Sequence, residues 1–114
     1  MSTTAFRFIH PTREYRELSV LSEIGRGAPV SQRGLARVAG VSSAMINAYI
    51  DDLVGRGLLE VTGDTNRSYR YMLTDTGRAR CGELYFQFAR EASRFFGEMQ
   101  GELRSRLLEL EEAS

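Results

Sequence analysis

Side chains able to perform covalent or metal chemistry are few in this sequence and lie far apart. The 114 residues include one cysteine, Cys81, and one histidine, His10. No nucleophile has a base beside it, no phosphate-binding loop is present, and no group of residues has the spacing of metal ligands. A lone cysteine also cannot form an intrachain disulfide. The sequence therefore predicts that the protein is not an enzyme, with no catalytic residue, no metal and no cofactor.

A different chemistry, hydrogen bonding without reaction, is indicated by a short stretch near the middle of the chain. Ser43, Ala44 and Asn47 fall on one side of an amphipathic pattern, opposite Ile46 and Ile50. An asparagine amide can pair bidentately with adenine, and an alanine methyl can pack on the thymine methyl group. The N-terminal half of a helix is the part that meets base edges in a major groove. These three polar-face residues are therefore candidates for base contact.

Groups that can bind phosphate surround this stretch. Arginine, small polar side chains and helix N-termini all bind phosphate oxygens, and an arginine at a hairpin tip can enter a minor groove. For any single arginine, a solvated surface charge is an equally good interpretation. The candidates for contact with the DNA backbone or minor groove are Ser31, Gln32, Arg33, Arg37, Arg67 and Arg70.

The charge is distributed unevenly although the formal net charge is zero. Residues 26–80 carry eight arginines and five acidic residues, a surplus of three positive charges. Residues 81–114 carry four arginines and seven glutamates, a surplus of three negative charges. A DNA-facing region joined to a solvated assembly helix would show this asymmetry.

Composition and hydropathy indicate the class of protein and its cellular compartment. A 42% apolar fraction is ordinary for a folded protein of one domain. No apolar run reaches the roughly 18 to 20 residues of a membrane helix, and residues 1–11 lack the order of a secretory signal. We therefore expect a cytoplasmic protein without a membrane partner.

Apolar periodicity and stop signals predict the elements that position these groups. Helices are expected over 12–25, 31–39 and 42–55, each with glycine at its end or directly after it, and a β-hairpin over 58–74 with a polar loop. The residues predicted to face the core are Leu18, Leu21, Ile24, Leu35, Val38, Ala39, Met45, Ile46, Tyr49, Ile50, Leu53 and Val54.

The order of these elements is that of a winged helix-turn-helix. Ala36 is the small residue expected where the second helix is crossed by the third. Gly40 can adopt the unusual backbone conformation that the turn requires, and Val41 is expected to fill the space inside the turn. The fold class is thus mainly α with a small β-hairpin, followed by a long C-terminal helix. Winged helices also serve as protein-interaction or assembly modules, and that alternative predicts no salt-dependent DNA affinity and tolerance of Asn47→Ala.

Several short motifs together resemble the MarR-type winged-helix transcriptional regulators. They are Leu35-Ala36, Gly40-Val41-Ser42, Leu53-Val54 before Gly57-Leu58-Leu59, a polar wing, and Leu73-Thr74-Asp75-Thr76-Gly77. The resemblance implies a homodimer that binds a pseudo-palindromic operator and represses nearby genes. It also implies that the third helix lies in the major groove and the wing in the flanking minor groove.

Two features distinguish this chain from many members of that family. Many pair an aspartate and an arginine two residues apart in the wing, whereas Asp64 and Arg67 are three apart here. The chain is also short, which makes it similar to a compact MarR-like subgroup associated with exopolysaccharide gene clusters. A small-molecule effector is compatible with the family but is not indicated by the residues.

The last predicted helix, from the Thr74–Gly77 segment to about residue 112, is longer than a small domain can cover. Its apolar residues recur at steps of three and four, and large side chains left in water would form an exposed patch. Gly97 and Gly101 predict either a close helix crossing or a break. The residues predicted to form the dimer contact are Phe88, Ala92, Phe95, Phe96, Met99, Leu103 and Leu107.

The sequence therefore predicts two regions. Residues 1–80 form the winged helix-turn-helix, with 1–11 as an N-terminal extension that we expect to join the dimer interface, and residues 81–114 form the dimerisation helix. The predicted partners are double-stranded DNA and a second copy of the chain, and the predicted function is sequence-specific transcriptional regulation as a repressor.

Overall fold

The computed structural model describes residues 12–65 and 68–113. Within them, four helices and one antiparallel sheet follow one another along the chain. The elements are α1 (Arg13–Gly25), α2 (Gln32–Ala39), α3 (Ser43–Gly55), β1 (Leu59–Thr62), β2 (Arg70–Leu73) and α4 (Asp75–Ala113). The predicted class, mainly α with a small hairpin and a long last helix, is confirmed. The contacts divide the chain into two units, one comprising Thr12–Tyr85 and the other including 86–113. Residues 1–11, for which an interface role was predicted, lie outside the described residues.

A hydroxyl side chain caps each of the first three helices. The oxygens of Thr12, Ser31 and Ser42 accept backbone N–H hydrogen bonds of 3.0 to 3.2 Å from the residue three positions on. Each such cap stabilises a helix by about 1 kcal/mol, because it satisfies a donor that the helix itself leaves unpaired. The caps fix the starts of α1, α2 and α3 within one residue of the predicted positions.

The turn between α2 and α3 depends on Gly40. This residue ends α2 with φ 70° and ψ 38°, a left-handed conformation that favours glycine. The chain then reverses, and the Val41 N–H donates to the Ala36 carbonyl at 3.0 Å. Ala36 is buried and Val41 half-buried, as the helix-turn-helix pattern predicts.

The core of residues 12–85 lies between α1, α2, α3, the hairpin and the first turns of α4. Its largest fully buried side chains are Val20, Leu21, Leu35, Ile46, Leu53 and Leu84. Three predicted core residues are instead exposed, namely Val38, Met45 and Val54. A helix turns about 100° per residue, which places Val38 beside the face formed by Leu35, Ala36 and Ala39, and Met45 and Val54 on opposite edges of the α3 face.

The hairpin pairs Leu59 with Leu73 and Thr62 with Arg70. Side chains alternate along both strands, so that Leu59 is buried while Glu60, Thr62, Arg70 and Met72 are exposed. The alternation predicted from the sequence is confirmed. It places Arg70 on the solvent side of the wing.

Thr74 and Gly77 join the hairpin to α4. The Thr74 hydroxyl donates to the Gly57 carbonyl at 2.6 Å and accepts from the Gly77 N–H at 2.9 Å, while the Thr74 N–H donates to the Leu58 carbonyl at 3.1 Å. A Cβ atom at position 77 would lie 2.0 Å from the Leu58 carbonyl oxygen. Glycine is therefore required at position 77 by the close approach of two backbones.

Helix α4 is continuous over its 39 residues and is helical through Gly97 and Gly101. The predicted alternative of a break near Gly97 is not seen. At about 1.5 Å per residue the helix is about 58 Å long. No helix in the described parts of the chain has the length and apolarity needed to cross a bilayer.

Candidate nucleic-acid interface

The exposed face of α3 carries the predicted base-contacting residues. Ile46, Ile50 and Leu53 are buried and hold one side of the helix against the core. The opposite side leaves Ser43 and Asn47 in solvent, and with them the remaining members of the exposed face, Ala44, Ala48 and Asp51. Because α3 is capped by Ser42 at 3.2 Å from the Met45 N–H, its first turn is well defined. The structure thus presents a capped helix end with small and polar side chains outward.

The start of α2 meets this face through a side-chain contact. The Gln32 Nε2 group donates a hydrogen bond to the Asn47 Oδ1 atom. Gln32 is the first residue of α2 and is half-buried, whereas Asn47 is exposed. The sequence analysis placed these two residues in separate roles, backbone contact and base contact, and the structure brings them together.

Three of the candidate arginines are exposed, Arg33 and Arg37 on α2 and Arg70 on β2. Within residues 12–65 and 68–113, none of the three forms an ion pair with a carboxylate. Guanidinium groups held in solvent without an acidic neighbour are able to bind phosphate bidentately. Ser31 is also exposed, although its oxygen already accepts the N–H of Gly34. Arg67, predicted at the wing tip, lies outside the described residues.

Ser68 organises the base of the wing loop. Its hydroxyl oxygen accepts the backbone N–H groups of Asp64 at 3.1 Å and Thr65 at 3.0 Å, and its own N–H donates to the Thr65 carbonyl at 2.9 Å. Gly63 has φ 109°, and a Cβ there would lie 2.4 Å from the Ser68 carbonyl oxygen. Ser68 was not among the wing-loop residues singled out from the sequence, which were Asp64 and Arg67. Serine bonding to backbone two to four residues away is a common turn signal.

A buried carboxylate fixes the far end of α3. Glu17 of α1 is only 5% exposed, and its Oε1 atom lies 2.9 Å from Arg56 and 3.2 Å from Arg80. Arg56 follows the last turn of α3 and also contacts Asp52 at 3.1 Å, and Arg80 contacts Glu83 at 3.3 Å. One carboxylate thus joins α1, the end of α3 and the first turns of α4.

The electrostatics of this cluster favour the charged forms of both arginines. The hydrogen bond to Glu17 is the largest cause that raises the pKa of Arg56, and it likewise raises the pKa of Arg80. Burial acts in the opposite direction on both guanidinium groups but is outweighed. Both arginines therefore stay protonated throughout the physiological range.

The burial of Glu17 was not predicted from the sequence, although a signal was present. Glu17 precedes Leu21 by four residues and Ile24 by seven, and so shares their buried face. A charged residue at a core position is almost never fully buried unless it is paired. The pattern could have identified Glu17 as paired, but it carried no information about which arginines are its partners.

A shallow cleft lies near Cys81, lined by Ser22, Arg26, Leu73, Arg78 and Tyr85 among others. The Ser22 and Tyr85 hydroxyls are hydrogen-bonded to each other. Partial burial raises the pKa of the Cys81 thiol, which makes it a weak nucleophile at neutral pH. In the described parts of the chain, no group of three or more His, Cys, Asp or Glu side chains could hold a metal ion.

These features define a winged helix-turn-helix protein in which the outer face of the third helix is exposed. The model of the MarR family matches residues 12–67. No curated protein matches the sequence. The solved structures do: the transcriptional repressor CouR, bound to a 23-mer DNA duplex, is 30% identical with a TM-score of 0.64, and the match covers 82% of this chain and 68% of that chain.

Two further structures share the fold. A MarR-family transcriptional regulator from Rhodococcus sp. RHA1 is 26% identical, with a TM-score of 0.63 and coverage of 83% of this chain and 71% of that chain. The PcaV transcriptional regulator from Streptomyces coelicolor is 22% identical, with a TM-score of 0.66 and coverage of 92% and 80%. The chain belongs to the MarR family of DNA-binding transcription regulators. The likeness to the exopolysaccharide-associated subgroup stays a prediction.

Proposed function

We propose that the protein is a sequence-specific repressor that binds a pseudo-palindromic DNA site as a homodimer. The observation that carries this proposal is the exposed face of α3, where Ser43, Ala44 and Asn47 lie outward while Ile46 and Ile50 anchor the helix from behind. Ser43 and Asn47 supply hydrogen-bonding groups for base edges, and the small Ala44 lets the helix approach closely. Action on DNA places the protein in the cytoplasm.

Phosphate contacts are assigned to the groups around α3. Arg33 and Arg37 flank the start and middle of α2, and Arg70 lies on the outer face of the wing. Ser31 adds a polar group at the N-terminus of α2, where partial positive charge favours an anion. The chemistry requires no cofactor. Arg67 is assigned to the minor groove from its place in the sequence alone.

The homodimer is proposed from the later part of α4. Met99, Leu103, Leu107 and Leu110 recur at steps of three and four and are between 43% and 67% exposed. Burying a large apolar side chain is worth about 1.5 to 3 kcal/mol, so four such residues from each chain can offset the cost of association. The apolar stripe formed by these four residues continues toward the N-terminus of the helix through Phe88, Ala92, Phe95 and Phe96.

Two-fold symmetry of the dimer is the reason for a pseudo-palindromic site. A symmetric pair of recognition helices meets two half-sites about one helical turn, near 34 Å, apart. The repressor role is supported by the 30% identical structural neighbour CouR, which is a transcriptional repressor. Repression follows physically when such a dimer occupies a promoter.

The test is selection from random-sequence duplex DNA, followed by affinity measurements at two salt concentrations. We expect the wild-type protein to select a two-fold-symmetric site, with affinity that falls steeply as salt rises. Asn47→Ala should relax the base preference at one position in each half-site, and Arg33→Ala should weaken binding to all sequences alike. Gln87→Ala, on an exposed position of α4, is the matched control and should behave as wild type.

Oligomeric state is measured on the same samples by sedimentation. A folded dimer that binds no DNA would overturn the proposed function and favour a protein-interaction module. A monomer that binds a single half-site would overturn the dimer alone. For the repressor role, a reporter gene carrying the selected site should lose expression when the wild-type protein is present but not with Asn47→Ala.

A further inference from the structure

We infer that Gln32 is a positioning residue, which fixes the orientation of the Asn47 amide and thereby sets the base preference of α3. The inference rests on the proposed function, because it concerns how the same face recognises DNA. It assigns Gln32 a role different from the phosphate contact that its place at a helix start suggests.

The geometry around Gln32 is fixed by backbone contacts. Ser31 caps α2 through the Gly34 N–H at 3.0 Å, which orients the first turn where Gln32 lies. The left-handed Gly40 and the 3.0 Å bond from Val41 to Ala36 set the angle between α2 and α3. Gln32 and Asn47 are therefore brought together by rigid elements, and their hydrogen bond joins two helices across the turn.

The direction of this bond decides which end of the Asn47 amide faces outward. A carboxamide has an acceptor oxygen at one end and a two-proton donor at the other. Gln32 donates through Nε2 to Oδ1, so the oxygen end of Asn47 is turned toward α2 and the Nδ2 end is turned away from it. Base discrimination by asparagine depends on this polarity, because acceptors such as N7 and O6 of guanine, N7 of adenine and O4 of thymine are distinguished from the amino donors of adenine and cytosine.

Without Gln32, Asn47 would be an exposed side chain free to rotate by half a turn. Both orientations would then be populated, and the entropy of choosing one would be lost on binding. A bond of this kind is worth about three- to tenfold in an equilibrium. We therefore expect Gln32→Ala to reduce discrimination at the base position read by Asn47 by about three- to tenfold, with affinity for scrambled duplex unchanged.

Gln32→Glu tests the polarity directly. A carboxylate cannot donate to Oδ1 but can accept from Nδ2, so it would turn the Asn47 amide around. The added negative charge should lower affinity for every sequence, and the base preference at the Asn47 position should shift toward bases that present a donor. Arg33→Ala, one residue away, is the matched control and should lower affinity without any shift in preference.

The experiment combines site selection with a double-mutant cycle on wild type, Gln32→Ala, Asn47→Ala and the double variant. The inference predicts that Gln32→Ala has no further effect on base preference once Asn47 is alanine. Uniform loss of affinity with unchanged preference in Gln32→Ala would make Gln32 a phosphate contact and overturn the inference, while the proposed function would stand. Failure of the wild type to select any site would overturn the proposed function itself.

A measurement without DNA keeps the inference falsifiable on its own. The Asn47 side-chain amide should give ordered ¹⁵N relaxation in the wild-type protein and mobile relaxation in Gln32→Ala. Equal order in the two proteins would overturn the inference even if the fold and DNA affinity were unchanged.

Discussion

In residues 12–85 large apolar side chains of successive elements cover one another, whereas in the later part of α4, from Met99 onward, they are exposed along one helix. The first region buries Leu21, Leu35, Ile46, Leu53 and Leu84 completely. The second leaves Met99, Leu103, Leu107 and Leu110 largely exposed. Both regions carry apolar side chains at helical spacing, so this periodicity indicates which face of a helix has to be buried but not which element or chain covers it.

The largest expected effect is on association through residues 86–113. The double substitution Leu103→Asp and Leu107→Asp removes four buried leucines per dimer, a loss of about 6 kcal/mol or more. We expect a monomer by sedimentation, with residues 12–85 still folded by circular dichroism. Ser105→Asp introduces the same negative charge on the other side of α4 and should leave the dimer intact. Dissociation by Ser105→Asp alone would place the interface on the opposite face.

The next largest expected change is in the stability of residues 12–85. Gly77→Ala places a Cβ 2.0 Å from the Leu58 carbonyl oxygen, so the helix or the hairpin must shift. We expect the free energy of unfolding to fall by about 3 kcal/mol, the upper range for overpacking. Gly82→Ala, on the same helix with nothing within 4 Å of its Cβ, should instead raise stability by about 0.5 to 1 kcal/mol. Equal stability of the two variants in urea unfolding would contradict the close approach.

Glu17→Ala tests the buried carboxylate within the same region. Its loss leaves Arg56 and Arg80 without their shared partner, but both are partly exposed and regain water. We expect a cost of about 1 to 3 kcal/mol in chemical denaturation. The exposed Glu14 on the same helix provides the control, since Glu14→Ala should change stability by less than about 0.5 kcal/mol.

Two glycines of α4 test which face of this helix forms the dimer contact. Gly97 and Gly101 each precede a residue of the apolar stripe by two positions, which is about 200° around a helix. A dimer seam through Met99 and Leu103 therefore leaves the glycines on the other side, and the crossing predicted at the glycines is a competing interface. We expect Gly97→Ala to stabilise α4 by about 0.5 to 1 kcal/mol without weakening the dimer. A weaker dimer, measured by dilution, would favour the glycine face.

The smallest expected change is in the reactivity of Cys81, which lies in the part of α4 that belongs to residues 12–85. Burial raises the pKa of the Cys81 thiol above its ordinary value. Burial thus favours the neutral thiol in the folded protein. The resulting contribution to stability is fully present below the pKa of the thiol in the unfolded chain, and it is lost as pH rises through the pKa of the thiol in the folded protein. We expect the alkylation rate to rise at a higher pH in the native protein than in urea. Coincident pH profiles would contradict this burial.

Local features of the fold were predictable from the sequence because their causes are local. The caps at Thr12, Ser31 and Ser42 and the turn at Gly40 each depend on residues within four positions. Strand alternation in the hairpin likewise follows from a period of two. The exposed face of α3 was predicted correctly, since the burial of Ile46 and Ile50 leaves Ser43 and Asn47 no other direction.

Pairings between distant residues were decided by the tertiary structure alone. Gln32 bonds to Asn47 across 15 positions, and Glu17 bonds to Arg56 and Arg80 across 39 and 63 positions. The same applies to the exposure of Val38, Met45 and Val54, which lie at the edges of faces whose width depends on the neighbouring helix. A sequence determines which groups need partners through burial and charge. Which partner each group receives depends on helix crossing angles and loop closures, which no local pattern encodes.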